Sequence, residues 1–146
     1  MTQLEELDTY ISAINTVSHK VKQYLNEQLK DLGVTSSTYF YLMKVGDKGQ
    51  LSQDDLFQLI HLNPSNITRG VARLIKLGYL SKEQSPTDRR VKIIKLTKLG
   101  EQKYRQLVIR LPTINDSLVQ TLTPEQVIIF KQILTSVDVE LNQLLA

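Results

Sequence analysis

The chain has no cysteine. That absence removes disulfides, thiolate metal ligands and thiol redox sensing together. Tryptophan is also missing, and the only aromatic residues are six tyrosines and three phenylalanines. Two histidines, His19 and His61, stand far apart with no HxxxH or HExxH spacing, so neither a metal site nor a histidine base is expected. GxSxG, Walker and GxGxxG sequences are absent, and Asp54-Asp55 reads as helix-start charge that favours the helix dipole. These gaps point away from an enzyme and from any cofactor or metal. No segment approaches the run of about 20 apolar residues that a membrane span needs, and the first twenty residues lack a basic stretch leading into an apolar core. A cytoplasmic protein with no membrane partner is expected.

Acidic residues are scarce in one particular place. Between Asn63 and Lys98 there are nine basic residues and two acidic ones, Glu83 and Asp88. That segment carries a local charge of +7, whereas the rest of the 146-residue chain carries about −4 and the whole +3. A basic block inside an otherwise acidic chain implies a polyanionic partner at one surface.

Hydrophobic periodicity predicts a mainly α chain. Leu4, Leu7, Ile11, Ile14, Val21, Leu25 and Leu32 fall close to 3,4 spacing, which predicts one long helix over 4–32, stopped at Gly33. Thr35 or Ser36 would cap a second helix with Tyr39, Leu42 and Met43 inward, ended by the glycines of 46–49. Ser52 opens a third with Leu56, Leu59 and Ile60 inward. Asn63 as cap and Pro64 at the first position open a fourth that ends at Gly78. Two short extended runs follow, 80–84 and 90–96, joined by a turn at Ser85-Pro86-Thr87-Asp88. Thr97 caps a fifth helix that Pro112 should kink or break. Thr123-Pro124-Glu125-Gln126 opens a last helix with Val127, Phe130, Leu134, Val137, Leu141 and Leu144 along one seam.

Three short helices followed by a two-stranded ribbon outline a winged helix-turn-helix, and the fourth helix has a face suited to DNA. At 100° per residue, Ser65, Asn66, Arg69, Arg73 and Lys76 fall within about 100° of one another, with Thr68 and Ala72 just beside them. Ile67, Val71, Leu74 and Ile75 fall on the opposite side. No acid occurs from Asn63 to Gly78, whereas an ordinary solvated face mixes Glu with Lys. Arg can bond a guanine edge twice and Asn an adenine edge likewise; Ser, Thr and the helix N-terminus suit phosphate oxygens. Asn66 and Arg69 are therefore the candidates for base contact, with Arg73 and Lys76 on phosphates. With that helix in the major groove, the ribbon reaches the flanking minor groove, whose negative potential attracts arginine. Arg89 or Arg90 would enter it, and Asp88 would orient one of them. RNA readers stack bases on exposed aromatics, yet Tyr79 is the only aromatic residue between His61 and Tyr104. A winged helix used only for protein contact or RNA binding is thus the weaker alternative.

At this point NPSNITRGVARLIKLGYL (63–80) followed by SPTDRRVKIIKLTKLGE (85–101) resembles the MarR family, the multiple antibiotic resistance type of bacterial winged-helix regulators. The matching features are Ser65-x-Ile67-Thr68-Arg69, Leu74, Gly78, Asp88-Arg89-Arg90 and Leu96-Thr97-x-x-Gly100. Phe57, where many members have a small residue, and Lys82, where arginine is frequent, depart from the pattern. The resemblance implies an intertwined α-helical homodimer bearing a two- to three-stranded wing on each subunit. Residues 1–32 and 99–146 would form its dimerisation helices, centred at the C-terminal end on 112–146, and 33–98 the DNA-binding module. It further implies a pseudopalindromic double-stranded DNA operator, a repressor role, Asp88 and Arg90 on the family's wing motif, and Arg69 on a DNA-facing position. A small-molecule effector would occupy the cleft between module and dimer helices, for which Tyr10, Tyr24, Tyr39, Tyr41 and Met43 are the candidate lining.

Overall fold

A computed structural model describes residues 7–60 and 62–146. The elements run α1 (Ile11–Gln28), a 3-10 turn (Lys30–Leu32), α2 (Tyr39–Lys48), β1 (Gln50–Ser52), α3 (Gln53–Leu59), α4 (Pro64–Lys76), β2 (Leu80–Gln84), β3 (Lys92–Leu96), α5 (Lys98–Leu118) and α6 (Pro124–Leu144). The chain divides into two compact units, 1–110 and 111–146, with the boundary inside α5.

The helix predicted over 4–32 is shorter than expected. Asp8 Oδ1 accepts the Ser12 N–H at 3.0 Å, so the helix starts only at Ile11. At the other end Leu29 leaves helical geometry and the chain tightens into the 3-10 turn. Leu25, Leu29 and Leu32 are all buried, a spacing that the tighter turn brings onto the core. Gly33, at φ +74°, then ends the turn in the left-handed region. Leu4 and His61 lie outside the described residues.

The second helix begins three residues after its expected cap. Thr35 carbonyl accepts the Tyr39 N–H at 2.9 Å while Thr38 Oγ1 accepts the Thr35 N–H at 2.9 Å. Its buried face is Tyr41, Leu42 and Val45, not Tyr39, Leu42 and Met43. The reason lies in Gly46 and Gly70. A Cβ on Gly70 would meet the Tyr41 ring at 2.1 Å, and one on Gly46 the Tyr104 ring at 2.2 Å. Both glycines admit aromatic rings, so Gly46 is helical and only Gly49, at φ +81°, ends the helix.

Ser52 caps α3 through the Asp55 N–H at 3.0 Å, and Leu56 and Ile60 are buried as expected. Leu59, expected inward, is exposed; the helix is too short to bury a third position once Ile60 has turned to extended geometry. Asn63 and Pro64 open α4 as predicted, and Ile67, Val71 and Leu74 form its buried stripe. Gly78, at φ +82°, follows its end.

The sheet has three antiparallel strands in the order β1-β3-β2. Leu51 pairs with Ile94, and Leu80 to Gln84 pair in register with Leu96 to Lys92. The strand predicted over 90–96 begins instead at Lys92, because Ser85 N–H donates to the Val91 carbonyl at 2.8 Å and Val91 N–H to the Asp88 carbonyl at 3.1 Å. These two bonds close a seven-residue loop, 85–91, in place of a four-residue turn. In the first unit α2 packs on β1, β3 and α4, while α3 lies on β1 and β3 and α4 on β2.

Pro112 does not break α5, which continues to Leu118. Proline's fixed φ is helical, so the loss is confined to the one bond that the Val108 carbonyl would have accepted. In the second unit Thr123 forms a complete capping box with Gln126 (2.9 and 3.2 Å) and opens α6. No residue of α6 is buried, and Phe130, Leu134, Val137, Leu141 and Leu144 of its seam are all exposed. No described helix is long and apolar enough to cross a membrane.

Two predictions follow the packing. Gly to Ala in a helix ordinarily stabilises by up to about 1 kcal/mol, but at Gly100 the added Cβ would lie 1.9 Å from the Tyr79 carbonyl oxygen. Gly100→Ala should instead destabilise by about 3 kcal/mol, at the top of the overpacking range, as a lower urea midpoint. Separately, Arg110 clamps the Asp31 carboxylate with both terminal nitrogens and also donates to the Gln28 carbonyl. That hydrogen bonding holds the Asp31 carboxyl below its ordinary value of 3.8. A lowered folded pKa contributes stability above the ordinary value and loses it as pH falls through the folded one. Asp31→Asn should therefore lower the melting temperature near neutral pH and match the parent well below pH 3.8.

Candidate nucleic-acid interface

The outer face of α4 is built by its cap and its buried stripe. Asn63 Oδ1 accepts the Ser65 N–H at 2.8 Å, and the Asn63 carbonyl accepts those of Asn66 (2.9 Å) and Ile67 (3.2 Å). Pro64 has no N–H, and the N–H groups of Ser65, Asn66 and Ile67 are all engaged by Asn63. With Ile67, Val71 and Leu74 buried, Ser65, Asn66, Thr68, Arg69, Arg73 and Lys76 are all exposed. Thr68 Oγ1 donates to the Pro64 carbonyl at 2.9 Å, which leaves its hydroxyl only lone pairs to offer outward. Arg69 Nη2 donates to Asn66 Oδ1, joining the two base-contact candidates.

The wing loop presents its arginines to solvent. The Arg90 side chain is 91% exposed. Asp88 Oδ1 accepts the Arg90 backbone N–H at 3.0 Å and faces its Nε at 3.4 Å, so of the two arginines it orients Arg90. Arg89 is exposed, and its carbonyl accepts from Gln84 Nε2 at 3.0 Å. Lys95, across the strand pair, forms an ion pair with Glu83 at 3.0 Å. Part of the basic block is thus neutralised on the sheet, while α4 and the loop tip keep their positive charge. Among the described residues no group of histidine and acidic side chains is arranged to hold a metal.

Beside α4 lies an open cleft of about 620 Å³. Lys22, Arg69 and Arg73 supply three cations to its wall, Ser36 and Ser37 hydroxyls, and Tyr39, Phe40 and Tyr41 aromatic surface; no acid among the described residues lines it. Burial raises the Tyr39 phenol above its ordinary value, keeping it a hydrogen-bond donor at neutral pH. Of the effector candidates, Tyr39 and Tyr41 line this cleft; Tyr10, Tyr24 and Met43 do not, and Tyr10 is exposed on the chain leading into α1. Lys22, Ser36 and Ser37 could not be singled out in the sequence because single surface lysines and serines carry no periodic signal. Gly70, inside a strong helical pattern, was the available hint of close approach.

Residues 34–92 match the MarR family model. The HTH-type transcriptional regulator YwoH of Bacillus subtilis is 27% identical over 74% of this chain and 78% of its own length. BilQ of Clostridioides difficile, another HTH-type transcriptional regulator, is 31% identical over 56% of this chain and 55% of its own. In three dimensions a mutant of Escherichia coli MarR complexed with operator DNA superposes with a TM-score of 0.82 at 22% identity, covering 94% of this chain and 99% of that one. The matched segment holds the helix-turn-helix, the outward cationic face of α4 and the loop bearing Asp88, Arg89 and Arg90, and it is in these that the chain is similar to the MarR family.

Proposed function

We propose that this protein is a cytoplasmic transcriptional repressor that binds a pseudopalindromic DNA operator as a homodimer and is released by a small anionic effector. The observation that carries the reading is the acid-free outer face of α4, with Arg69, Arg73 and Lys76 free of acidic partners among the described residues and Arg89 and Arg90 exposed on the adjoining loop. Asn66 and Arg69 address base edges in the major groove, Ser65, Thr68, Arg73 and Lys76 its borders, and Arg90, steadied by Asp88, the minor groove. The operator complex of the MarR relative supports DNA as the partner. No cofactor enters this scheme.

Dimerisation is supported by apolar surface. Tyr10, Ile11, Ile14 and Val17 at the start of α1 are exposed, as are Phe130, Leu134, Val137, Leu141 and Leu144 of the α6 seam. So much apolar area on a single chain marks an interface. Two-fold symmetry then sets half-sites about 34–36 Å apart. The effector reading rests on the cleft: Arg69 and Arg73 both line it and both sit on the DNA-facing side of α4. An anion held there draws away cations that DNA needs, and Tyr39 and Phe40 give it an apolar wall.

Fluorescence anisotropy on duplex from the gene's own upstream region, beside scrambled duplex, tests the core of this reading. The native duplex should bind at least about a thousandfold tighter, with affinity falling steeply as salt rises; equal binding to both would remove it. Arg90→Ala should weaken operator binding by about 1–3 kcal/mol with dimerisation intact by sedimentation, and an unchanged affinity would discard the wing assignment. Benzoate, as a simple aromatic anion, should lower operator affinity in the wild type and have a weaker effect on Lys22→Ala, which alters the cleft wall but none of the proposed DNA contacts.

A further inference from the structure

Asn66 and Arg69 lie one turn apart on the exposed side of α4, and the hydrogen bond between them has a chemical consequence for base recognition. A guanidinium carries donors only, so the amide atom facing it must be the oxygen. Asn66 thereby directs its acceptor toward Arg69 and keeps two outward N–H donors. A free asparagine reads adenine by accepting from N6 while donating to N7; one whose oxygen is held by arginine lacks the first half of that contact. Arg69 retains its remaining N–H groups, and Arg73, which projects between the two on the helix, adds more donors and no acceptor. The strip from Asn66 to Arg69 therefore offers donors alone. Guanine is the base whose major-groove edge answers with acceptors alone, at N7 and O6, whereas the N6 amino group of adenine would meet another donor.

We infer that Asn66 is a positioning residue that holds the Arg69 guanidinium for guanine, and that each operator half-site carries a guanine under Arg69. The inference rests on the DNA-binding reading above and narrows the sequence that it recognises. Asn66 acts through Arg69, with its own amide donors free for an acceptor on a neighbouring base or phosphate.

The experiment starts from selection of duplexes by the full-length protein out of a randomised pool, which defines the preferred half-site directly. Anisotropy then measures wild type, Arg69→Ala, Asn66→Ala and Asn66→Asp on the selected duplex and on duplexes with each guanine replaced by adenine or 7-deazaguanine. One guanine should cost the wild type about tenfold or more when replaced, and that penalty should vanish in Arg69→Ala. Asn66→Ala should shrink it severalfold, beyond whatever affinity the same variant loses for scrambled duplex. Asn66→Asp, which keeps an oxygen facing Arg69 and loses the amide donors, should retain the guanine penalty despite weaker overall binding. If Asn66→Ala instead erases a preference at an adenine and leaves every guanine penalty intact, Asn66 is a direct adenine reader and the inference is overturned. A selection that returns no preferred sequence overturns the operator reading itself, an outcome distinct from either result at Asn66.

Discussion

Tyr79 sits where the helix-turn-helix, the wing and the N-terminal segment meet. Its hydroxyl donates to the Leu32 carbonyl at 2.6 Å in the buried interior, its N–H to the Leu74 carbonyl at 2.9 Å, and its own carbonyl accepts the Thr97 N–H at 3.1 Å. Thr97 in turn donates through Oγ1 to the Gly78 carbonyl and caps α5 by accepting the Gly100 N–H at 3.0 Å. Gly100 has no side chain because the Tyr79 carbonyl occupies its place. Three residues after the end of α4, the chain is thus tied to the 3-10 turn, to the return strand of the wing and to the start of α5. The outward face of α4 and the wing loop keep a common frame only while those ties hold. Loss of buried hydrogen bonds of this kind typically costs about 1–3 kcal/mol each, because the abandoned partner has no water to turn to.

Within that frame the local chemistry of α4 separates structural work from recognition. Asn63 engages the N–H groups of Ser65, Asn66 and Ile67, and Pro64 has none to satisfy. The outward side chains are organised in advance: Asn66 on Arg69, Asp88 on Arg90, Thr68 on the backbone. Holding long side chains before contact reduces the conformational entropy lost on binding. The charge pattern follows the same division. Glu83 neutralises Lys95 on the sheet, while the cations of α4 and the loop remain available to a polyanion.

The apolar seam of α6 and the first turns of α1 follow a different logic. A helix whose periodic leucines, valines and isoleucines stay mostly exposed gains little from burial within its own chain, and α6 opens with a full capping box. Such a helix fits the homodimer proposed here, in which a second copy supplies the missing contacts. The cleft lined by Lys22, Arg69 and Arg73 joins the two themes, since it places a cation from α1 next to those of α4, the helix proposed to face DNA.

Features governed by neighbours in the chain were legible in the sequence: the caps at Ser52, Asn63, Thr97 and Thr123, the left-handed glycines 33, 49 and 78, the buried stripe of α4 and the charge asymmetry of 63–98. Each depends on φ preferences, on a hydrogen bond spanning two or three residues, or on a 3.6-residue period. What the sequence left open, or set wrongly, depends on atoms distant along the chain. The rotation of α2 that buries Tyr41 and Val45 is decided by ring-sized gaps at Gly70 and Gly46. β1 is too short to show alternation and exists because β3 offers it an edge. The early end of the first helix follows from packing Leu25, Leu29 and Leu32 together, and the continuity of α5 through Pro112 is compatible with the helical φ to which a proline ring is fixed. The residue types of the proposed DNA-facing surface were written in the sequence, and the bond between Asn66 and Arg69 needs only the helix itself, but the cleft that sets Lys22 beside Arg69 and Arg73 arises only when the folded backbone brings α1 and α4 together.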